Sequence, residues 1–512
     1  MTGVSLKQLS VFGFRVRVCL CVVAMALLAA ANPAVAAKPE PAAAKGELTI
    51  PLEEAMKPWT GDLDAMIERK VIRVLVVYSK TFYFLDKGAQ RGATYDTFRV
   101  FEDELNKSLA KEGKLKNKYI KAKVVFIPVG RDELLPALAA GKGDIAAANL
   151  TITDARKQLV DFSAPVYPDV SEVVVSSPGA APLASVNDLA GKTVFVRKSS
   201  SYHESLLALN QTLTKAKKSP VVIKLAPESL EDEDLIEMVN AGLIPLIIVD
   251  KHKADFWKQV FPNINVNAAA AVRSGATVAW AMRKGSPQLK AALDGFLSRH
   301  GQGTAMRNTI LNRYLKSAKY VKDAASEAER KKFFALKGFF EKYGEKYDVD
   351  WLLMAAQGYQ ESQLNQAAKS RVGAIGVMQV MPATGKDLAV GDIRQTEPNV
   401  HAGIKYMRWM IDNYYGDQPM SQLDKALFSF ASYNAGAGRI SQLRKEAEKR
   451  GLNPNVWFHN VEYVAADKIG AETVTYVGNI YKYYIAYQLV EEARLERKAA
   501  LEQVKDQAPA AQ

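Results

Sequence analysis

Short apolar runs alternate with helical patterns from residue 71 onward, and this alternation restricts the fold more than any other feature of the sequence. Residues 71–77, 123–127 and 143–148 are strand-like runs rich in β-branched or small apolar residues. Residues 97–109 and 132–140 lie between these runs and have the apolar spacing of helices. Strands that alternate with helices form βαβ units, so the sequence predicts a parallel sheet covered by helices.

A second series of the same kind follows the first. It begins at residues 192–196, continues through 245–250 and ends with a strand expected near 276–282. We therefore predict two α/β lobes in series. From residue 333 to about residue 487 the apolar spacing is helical and no convincing strand occurs, which predicts an all-α domain after the two lobes.

Residues 1–37 have the pattern of a secretory signal. An apolar run over residues 18–31 follows a basic start, and Ala34-Val35-Ala36 is a small-residue cleavage motif. The run is shorter than the roughly 20 residues that a membrane span needs, so cleavage is favoured over an uncleaved anchor. Cys19 and Cys21 are the only cysteines, and neither follows the pattern of a lipoprotein cleavage site. Cleavage would therefore leave no disulfide and no cysteine-bound metal.

The chain is strongly basic, with a formal net charge of +13 over 512 residues. This charge favours a polyanionic partner, which could be nucleic acid, an anionic membrane surface or the cell wall. An exported protein seldom meets nucleic acid, so we expect no nucleic-acid partner. No metal or other cofactor is expected, because His401 and His459 are too isolated in the sequence to form a site.

Changes in composition divide the chain into six segments. The predicted segments are a signal peptide over 1–37, a flexible Pro- and Ala-rich linker over 38–67, the two-lobed domain over 68–302, a helical hinge over 303–332, the all-α domain over 333–490, and a charged helix with a disordered tail over 491–512.

Glu361 lies at the end of a predicted helix. Asp350 is placed to cap that helix, residues 351–356 are good helix formers, and the helix is expected to run for about three turns and to end near Glu361. The negative end of the helix dipole and burial against apolar neighbours both disfavour an ionised carboxylate. Glu361 is therefore predicted to be protonated near neutral pH, as a general acid must be. Gly373 and Gly376 suit a tight turn where the backbone comes close to a ligand.

Three ordered sequence blocks include Glu361. Glu361-Ser362 is followed by Ser-x-x-Gly-Ala-x-Gly-x-Met-Gln from residue 370 and by Pro-x-Thr from residue 382, and the later blocks are 431–436 (Ala-Ser-Tyr-Asn-Ala-Gly) and 472–477 (Glu-Thr-Val-Thr-Tyr-Val). Together they resemble the family 1 lytic transglycosylases, the goose-lysozyme-like enzymes that cut peptidoglycan. The resemblance implies a lysozyme-like all-α domain in which Glu361 is catalytic. It also implies substrate-binding roles for Ser370, Met378, Gln379, Tyr433, Asn434 and Tyr476.

The two lobes resemble the family 3 periplasmic solute-binding proteins over roughly residues 68–300. The resemblance is carried by four stretches, at 92–96, 150–156, 160–165 and 188–192. It implies that Arg156 pairs with a ligand carboxylate, a bidentate geometry that suits a guanidinium. It also implies that Asp250 holds a ligand amine. Thr151 and Ser201 would donate hydroxyl hydrogen bonds to the same ligand. The chain departs from the family at Lys198-Ser199-Ser200-Ser201, where the family has Gly-Thr-small.

The order of signal, solute-binding module and transglycosylase module resembles the membrane-bound lytic transglycosylase F family. The resemblance implies a periplasmic enzyme at the outer membrane, in peripheral contact with it, that cleaves the β-1,4 bond between N-acetylmuramic acid and N-acetylglucosamine. The product in that family is a 1,6-anhydromuramoyl end. We expect the N-terminal module to bind a small amino acid or muropeptide and to bias the catalytic domain through residues 303–335.

Ordinary glycosidases use two carboxylates, whereas the sequence blocks supply one, Glu361. Asp387, Asp392 and Glu397 lie downstream, but their spacing does not place them opposite Glu361. A single acid suffices if the C6 hydroxyl of the muramoyl unit acts as the nucleophile. The main alternative is a periplasmic binding or sensing protein whose lysozyme-like domain only anchors it to the cell wall. A transport receptor is disfavoured, because it would have no need of the C-terminal domain.

Overall fold

The computed structural model describes residues 48, 56–86, 88–115, 117–318 and 327–506. All of them belong to one compact unit that spans residues 44–512. The predicted signal peptide, most of the predicted linker, part of the predicted hinge and the end of the predicted tail lie outside the described residues. Of the helices in the described part of the chain, none combines the length and the apolar character needed to cross a bilayer.

The N-terminal domain is built around one mixed β-sheet. Its strands, with those of a small separate pair, are β1 (Val71–Val76), β2 (Phe84–Asp86), β3 (Ala89–Arg91), β4 (Lys123–Pro128), β5 (Ile145–Thr151), β6 (Asp161–Phe162), β7 (Tyr167–Ser176), β8 (Thr193–Arg197), β9 (Val222–Ala226), β10 (Leu246–Asp250) and β11 (Asn265–Met282). The order in the sheet is β4-β1-β5-β11-β7-β10-β8-β9, with β6 beside β11, while β2 pairs only with β3. We call the half with β4, β1 and β5 the first lobe and the half with β10, β8 and β9 the second lobe.

The predicted parallel pairing is confirmed within each lobe. Strand β1 is parallel to β4 and β5, and β8 is parallel to β9 and β10. Two long antiparallel strands, β7 and β11, join the lobes. Only residues 276–282 of β11 were expected as a strand, yet β11 extends over 18 residues. Its first part pairs with β7 and its last part pairs with β5, so it passes from the second lobe into the first.

Helices cover both faces of this sheet, as the alternating pattern requires. They are α1 (Leu63–Glu68), α2 (Ala93–Lys111), α3 (Leu134–Ala139), α4 (Asp154–Leu159), α5 (Ser201–Lys215), α6 (Asp232–Asn240), α7 (Lys251–Trp257), α8 (Pro287–Arg299) and α9 (Ala305–Leu311). Helix α9 continues as a π-helical turn over Asn312–Lys316, inside the predicted hinge.

The C-terminal domain is helical, which confirms the predicted all-α class. Its helices are α10 (Glu327–Tyr347), α11 (Trp351–Ser362), α12 (Pro382–Asp387), α13 (Thr396–Met410), α14 (Gln422–Ala435), α15 (Ala437–Lys449), α16 (Glu462–Ile469) and α17 (Ala471–Asp506). Large aromatic side chains fill its core, and Phe428, Trp457 and Tyr484 have no exposed surface. Apolar burial of this kind is the main stabilising contribution to a helical domain.

Helix α17 does not stop at the predicted domain boundary at residue 490 but continues to Asp506. The hydroxyl of Tyr487, on this helix, donates a hydrogen bond to the carbonyl oxygen of Gly88 in the N-terminal domain. Further along, Arg497 forms ion pairs with Asp234 and Glu233 of the second lobe. Helix α17 therefore connects the core of the all-α domain to both lobes.

Candidate active site and ligand cleft

Glu361 lies in the last turn of α11, as the sequence predicts. The side chain of Asp350 caps the start of this helix by accepting a hydrogen bond from the Leu352 backbone NH at 2.8 Å. Its second oxygen accepts a hydrogen bond from the Tyr484 hydroxyl at 2.6 Å, which ties the helix start to α17. The helix ends at Ser362, because Gln363 adopts a left-handed conformation with φ of 55°.

The Glu361 carboxyl is partly buried and accepts a hydrogen bond at 2.5 Å from the Tyr476 hydroxyl. Burial raises the pKa of Glu361 from 4.5 to about 7, because desolvation penalises the charged form, and the Tyr476 hydrogen bond offsets this only in part. Among the described residues, no cation forms an ion pair with Glu361. The group can therefore carry or release a proton near neutral pH.

Gln357 was not expected from the sequence, yet it completes a hydrogen-bonded chain that ends at Glu361. Its side chain is fully buried one helical turn before Glu361, and its Nε2 atom donates to the Tyr476 hydroxyl at 3.2 Å. Because the Tyr476 oxygen accepts from Gln357, its own proton is directed toward Glu361. In the sequence, Gln357 is marked only by its position four residues before Glu361 on the same helix. Such spacing occurs in every helix, so it does not single out Gln357.

The loop from Ser370 to Gln379 lies between α11 and α12 and is held by its own backbone and by Asn399. Ser370 Oγ accepts a hydrogen bond from the Ala374 backbone NH at 3.0 Å. Gln379 has a positive φ of 46°, and its Nε2 atom donates to the Gly376 carbonyl at 2.9 Å. Both side chains are thereby oriented by the loop that carries them.

Gly376 lies in a turn and packs closely against a buried side chain. It has a φ of 82°, and a Cβ atom there would lie 2.4 Å from Nδ2 of Asn399. Asn399 is fully buried, and its side chain holds the loop with two hydrogen bonds. It donates to the Ile375 carbonyl at 2.9 Å and accepts from the Met378 backbone NH at 2.8 Å. A side chain at Gly376 would therefore collide with Asn399. Gly373 also has positive φ, at 94°, but faces open space.

Met378, predicted to line a sugar subsite, has its side chain inside the domain. Its side chain has no exposed surface and packs beneath Gly358 and Gly403, so it supports the loop from inside the domain. Its carbonyl oxygen accepts a hydrogen bond from the Tyr433 hydroxyl at 2.8 Å. The part of Met378 that can reach a ligand without rearrangement is therefore its backbone, and its predicted role in a sugar subsite stays a prediction.

The other predicted substrate-binding residues lie close to Glu361 or to its supports. The pKa of the Tyr433 hydroxyl is raised, mainly because the group is buried and also because the negative charge of Glu361 is nearby. Asn434 accepts a hydrogen bond through Oδ1 from the Thr473 hydroxyl at 2.7 Å, which joins the ends of α14 and α17. The three sequence blocks, far apart in the chain, therefore meet at one place.

Two of the downstream carboxylates are engaged elsewhere. Asp392 pairs with Arg394 at 2.8 Å, and Glu397 pairs with Lys342 at 2.7 Å on an exposed surface. Asp387 lies at the exposed end of α12. These placements agree with the expectation that none of the three faces Glu361.

In the N-terminal domain, a cavity of about 180 Å³ lies between the two lobes. Three of the four predicted ligand residues, Thr151, Arg156 and Ser201, line it. The Arg156 guanidinium donates through Nη1 to the Thr151 carbonyl and through Nη2 to the Ser199 carbonyl, both at 2.9 Å. The hydroxyls of Thr151 and Ser201 are 3.2 Å apart and hydrogen bonded across the cleft.

Asp250, the fourth predicted ligand residue, lies at the end of β10 but is not among the residues that line the cavity. Its Oδ2 atom accepts a hydrogen bond from Asn149 of the first lobe at 2.8 Å and lies 3.2 Å from the Lys253 ammonium. The position predicted for a ligand amine is thus next to a cation of the protein itself.

Comparison with known proteins agrees with this two-part organisation. One family model, described as bacterial extracellular solute-binding proteins, family 3, matches residues 80–317, and a second, Transglycosylase SLT domain, matches residues 338–455. Tyr476 and its sequence block lie beyond the second match.

Curated relatives match over most of the chain. A protein named membrane-bound lytic murein transglycosylase F from Pseudomonas fluorescens is 29% identical over 463 residues, which cover 86% of this chain and 89% of that protein. One of the same name from Desulfosudis oleivorans is 28% identical and covers 81% of this chain and 89% of its own length. Among solved structures, an ancestral arginine-binding protein bound to arginine is 24% identical over 48% of this chain and 98% of that chain, with a TM-score of 0.37.

The two domain matches occur in the predicted order, and the full-length relatives share it over nearly their whole length. The predicted fold class and the predicted enzyme class are both confirmed. The chain thus joins a family 3 solute-binding domain to a transglycosylase SLT domain, and over most of its length it is similar to relatives named membrane-bound lytic murein transglycosylase F.

Proposed function

We propose that this chain cleaves the bond between N-acetylmuramic acid and N-acetylglucosamine in peptidoglycan and leaves 1,6-anhydromuramoyl ends, with Glu361 as its single acid–base residue. The observation that carries the proposal is the Glu361 carboxyl itself. It is partly buried, bonded to a neutral hydroxyl at 2.5 Å, and has a pKa raised to about 7. A carboxyl in that condition can donate a proton and later accept one at the same pH.

The chemistry needs no second carboxylate. Protonated Glu361 gives its proton to the glycosidic oxygen, and the bond from that oxygen to C1 of the muramoyl unit breaks. The carboxylate so formed takes the proton of the C6 hydroxyl, whose oxygen bonds to C1. Glu361 is then protonated again, and no water is consumed. An ordinary retaining or inverting glycosidase would instead need a partner carboxylate on the opposite side of the sugar.

Five of the predicted substrate-binding residues are available for roles in this reaction. Ser370, Gln379, Tyr433 and Asn434 belong to the segments that meet near Glu361, and we propose that they bind the sugar units. Tyr476 is proposed to hold the Glu361 proton in position, because its hydroxyl already donates to the carboxyl. Met378 contributes through its carbonyl oxygen, which orients Tyr433.

The test is digestion of purified sacculi followed by mass analysis of the fragments. We expect muropeptides with anhydro ends, each lighter by one water than the hydrolysed product. Fragments with reducing muramic ends would overturn the single-acid mechanism. Intact sacculi would instead support the alternative in which the domain only anchors the protein to the wall.

We further propose that the N-terminal module binds a small amino-acid-like or muropeptide ligand and that this binding changes the activity of the catalytic domain. The protein is proposed to work in the periplasm, in peripheral contact with the outer membrane. Helix α17 supports a coupling role, because it carries both Tyr476 and Arg497, which contact Glu361 and Asp234 respectively. A ligand changes activity only through its different affinity for two states, and such couplings typically amount to about 5–150-fold. Sacculus digestion with and without added amino acids or stem peptides measures that factor, and an unchanged rate would end the regulatory proposal.

A further inference from the structure

The charged side chains that line the cavity between the lobes are mainly cations. Its charged lining residues are Arg131, Asp132, Arg156, Arg197 and Lys253, and Asp132, the only acid of this set, is exposed. The wall also has hydroxyl and amide groups, from Thr151, Asn149, Tyr202 and the run Ser199, Ser200 and Ser201, and apolar side chains, from Leu135, Pro136, Leu150 and Leu159. The run leads into α5, whose first turn is capped by the Ser200 hydroxyl.

Three of these four cations are already paired with buried acids. Arg131 binds Glu231 through two contacts at 2.6 and 2.8 Å, which also links the two lobes. Arg197 binds Asp232 at 2.5 Å. Lys253 lies 2.7 Å from Asp232 and 3.2 Å from Asp250.

Arg156 is held differently. It donates to two carbonyl oxygens, and the carboxylate that it pairs with, that of Glu204, is 3.5 Å away and 35% exposed. Carbonyl oxygens do not neutralise a guanidinium, so the positive charge of Arg156 is available to an anion in the cavity.

Lys253 occupies the place expected for an ammonium group of the ligand. Its side chain is 5% exposed, and its Nζ atom contacts Asp232, Asp250 and the Tyr202 hydroxyl. The same atom lies 5.8 Å from the centre of the Phe82 ring of the first lobe, so it reaches into the space between the lobes. A free ligand ammonium would meet this cation at Asp250, the residue to which the family resemblance assigns the ligand amine.

We propose that Lys253 is a built-in replacement for the ligand ammonium, and that the cleft selects carboxylates whose nitrogen is acylated or absent over free amino acids. This inference rests on the proposal that the module binds a small ligand, and it names the class. The ligand carboxylate would pair with Arg156 and with the hydroxyls of the Ser199–Ser201 run, and a positively charged nitrogen would find Asp250 already paired with Lys253.

The test is calorimetric titration of the full chain with matched pairs, L-alanine against N-acetyl-L-alanine and L-glutamate against N-acetyl-L-glutamate. We expect the N-acetyl compound of each pair to bind at least about tenfold more tightly, because the ammonium group of a free amino acid would have to compete with Lys253 for Asp250. Equal or tighter binding of the free amino acids would overturn the proposal, and so would the absence of binding by both members of both pairs.

Variants at Lys253 sharpen the test. Lys253→Met frees Asp250 and should invert the preference toward the free amino acids, whereas Lys253→Arg keeps the cation and should preserve it. Lys251→Met is the matched control, because Lys251 is exposed and pairs with Asp255 on the surface of the same helix. An unchanged preference in a folded Lys253→Met protein would contradict the assigned role, and the wild-type pairs decide the matter if that variant does not fold.

The outcome is separable from that of the catalytic proposal. Sacculus digestion without any added ligand reports on Glu361 alone. A chain that forms anhydro ends but prefers free amino acids would retain the proposed activity and lose this inference.

Discussion

Two buried acids in this molecule behave in opposite ways. Burial raises the pKa of Glu361 to about 7, and its close partner is the neutral hydroxyl of Tyr476. Burial also opposes ionisation of Asp232, but Lys253 and Arg197 outweigh it and hold the pKa of Asp232 well below its ordinary value. For these two groups, burial alone therefore does not fix the direction of the pKa shift, because nearby cations outweigh burial at Asp232 and none does so at Glu361.

The difference matches what each region is proposed to do. A proton donor must exchange its proton near the working pH, which Glu361 can and Asp232 cannot. Asp232 instead acts as a fixed anion that holds Lys253 and Arg197 in the wall of the cleft. The same type of side chain is thus a reacting group in one domain and a structural group in the other.

The largest expected effect comes from removing the titratable group. Glu361→Gln keeps the shape of the side chain but cannot donate a proton, so the rate of sacculus digestion should fall by about 10²–10⁴-fold or more. Glu397→Gln is the matched control, because Glu397 pairs with Lys342 on the surface and should leave the rate nearly unchanged. Near-normal turnover of Glu361→Gln, with sacculus binding kept, would remove Glu361 from the mechanism.

Removing the Tyr476 hydroxyl should widen the difference in pKa between Glu361 and Asp232. The Tyr476 hydrogen bond lowers the pKa of Glu361, so Tyr476→Phe should raise that pKa further. A hydrogen bond to a charged group is worth about 1.5–3 kcal/mol, which corresponds to about one to two pH units. Activity that needs protonated Glu361 falls as pH rises, and we expect this fall at higher pH in the variant.

The measurement is the pH dependence of digestion rate for the wild type and for Tyr476→Phe. The rate at the optimum should also decrease, because the carboxyl is no longer held in place. A lower rate with an unshifted pH profile would limit Tyr476 to a packing role.

The smallest expected effect concerns stability. The pKa of Glu361 is raised from 4.5 to about 7 in the folded chain, so Glu361 favours folding below pH 4.5 and this contribution is lost as pH rises to about 7. Glutamine does not titrate. Glu361→Gln should therefore stabilise the folded chain relative to wild type at pH 8, by at most about 3 kcal/mol, and by less at pH 5.

Thermal or denaturant unfolding at the two pH values measures this difference. A stabilisation that is equal at pH 5 and pH 8 would show that the substitution acts through packing, and that the raised pKa does not explain it.

Much of the local structure followed from the sequence. The helix that ends at Glu361, its Asp350 cap and the parallel strands of each lobe were predicted from apolar spacing and capping residues. The length of β11 was underestimated, because the pairing that makes residues 265–275 a strand comes from β7, about a hundred positions earlier in the chain.

The site was predicted only in part, again because some of its contacts join residues far apart in the chain. Glu361 stands out in the sequence because its neighbours form recognisable blocks, whereas Gln357 does not, because its partner Tyr476 is 119 positions away. Met378 belongs to a block but points into the core, which the block itself cannot reveal.

The sequence by itself determined the two domain types, the helix that carries Glu361 and the residues that meet around it, because periodicity and capping act over a few neighbouring residues. Tertiary structure alone decided which acids have a cation within reach. Lys253 lies between Asp232 and Asp250, and Tyr476 lies beside Glu361, only because distant segments pack together. Electrostatic energy depends on distances of a few ångströms in space and on burial, and neither is a property of position along the chain.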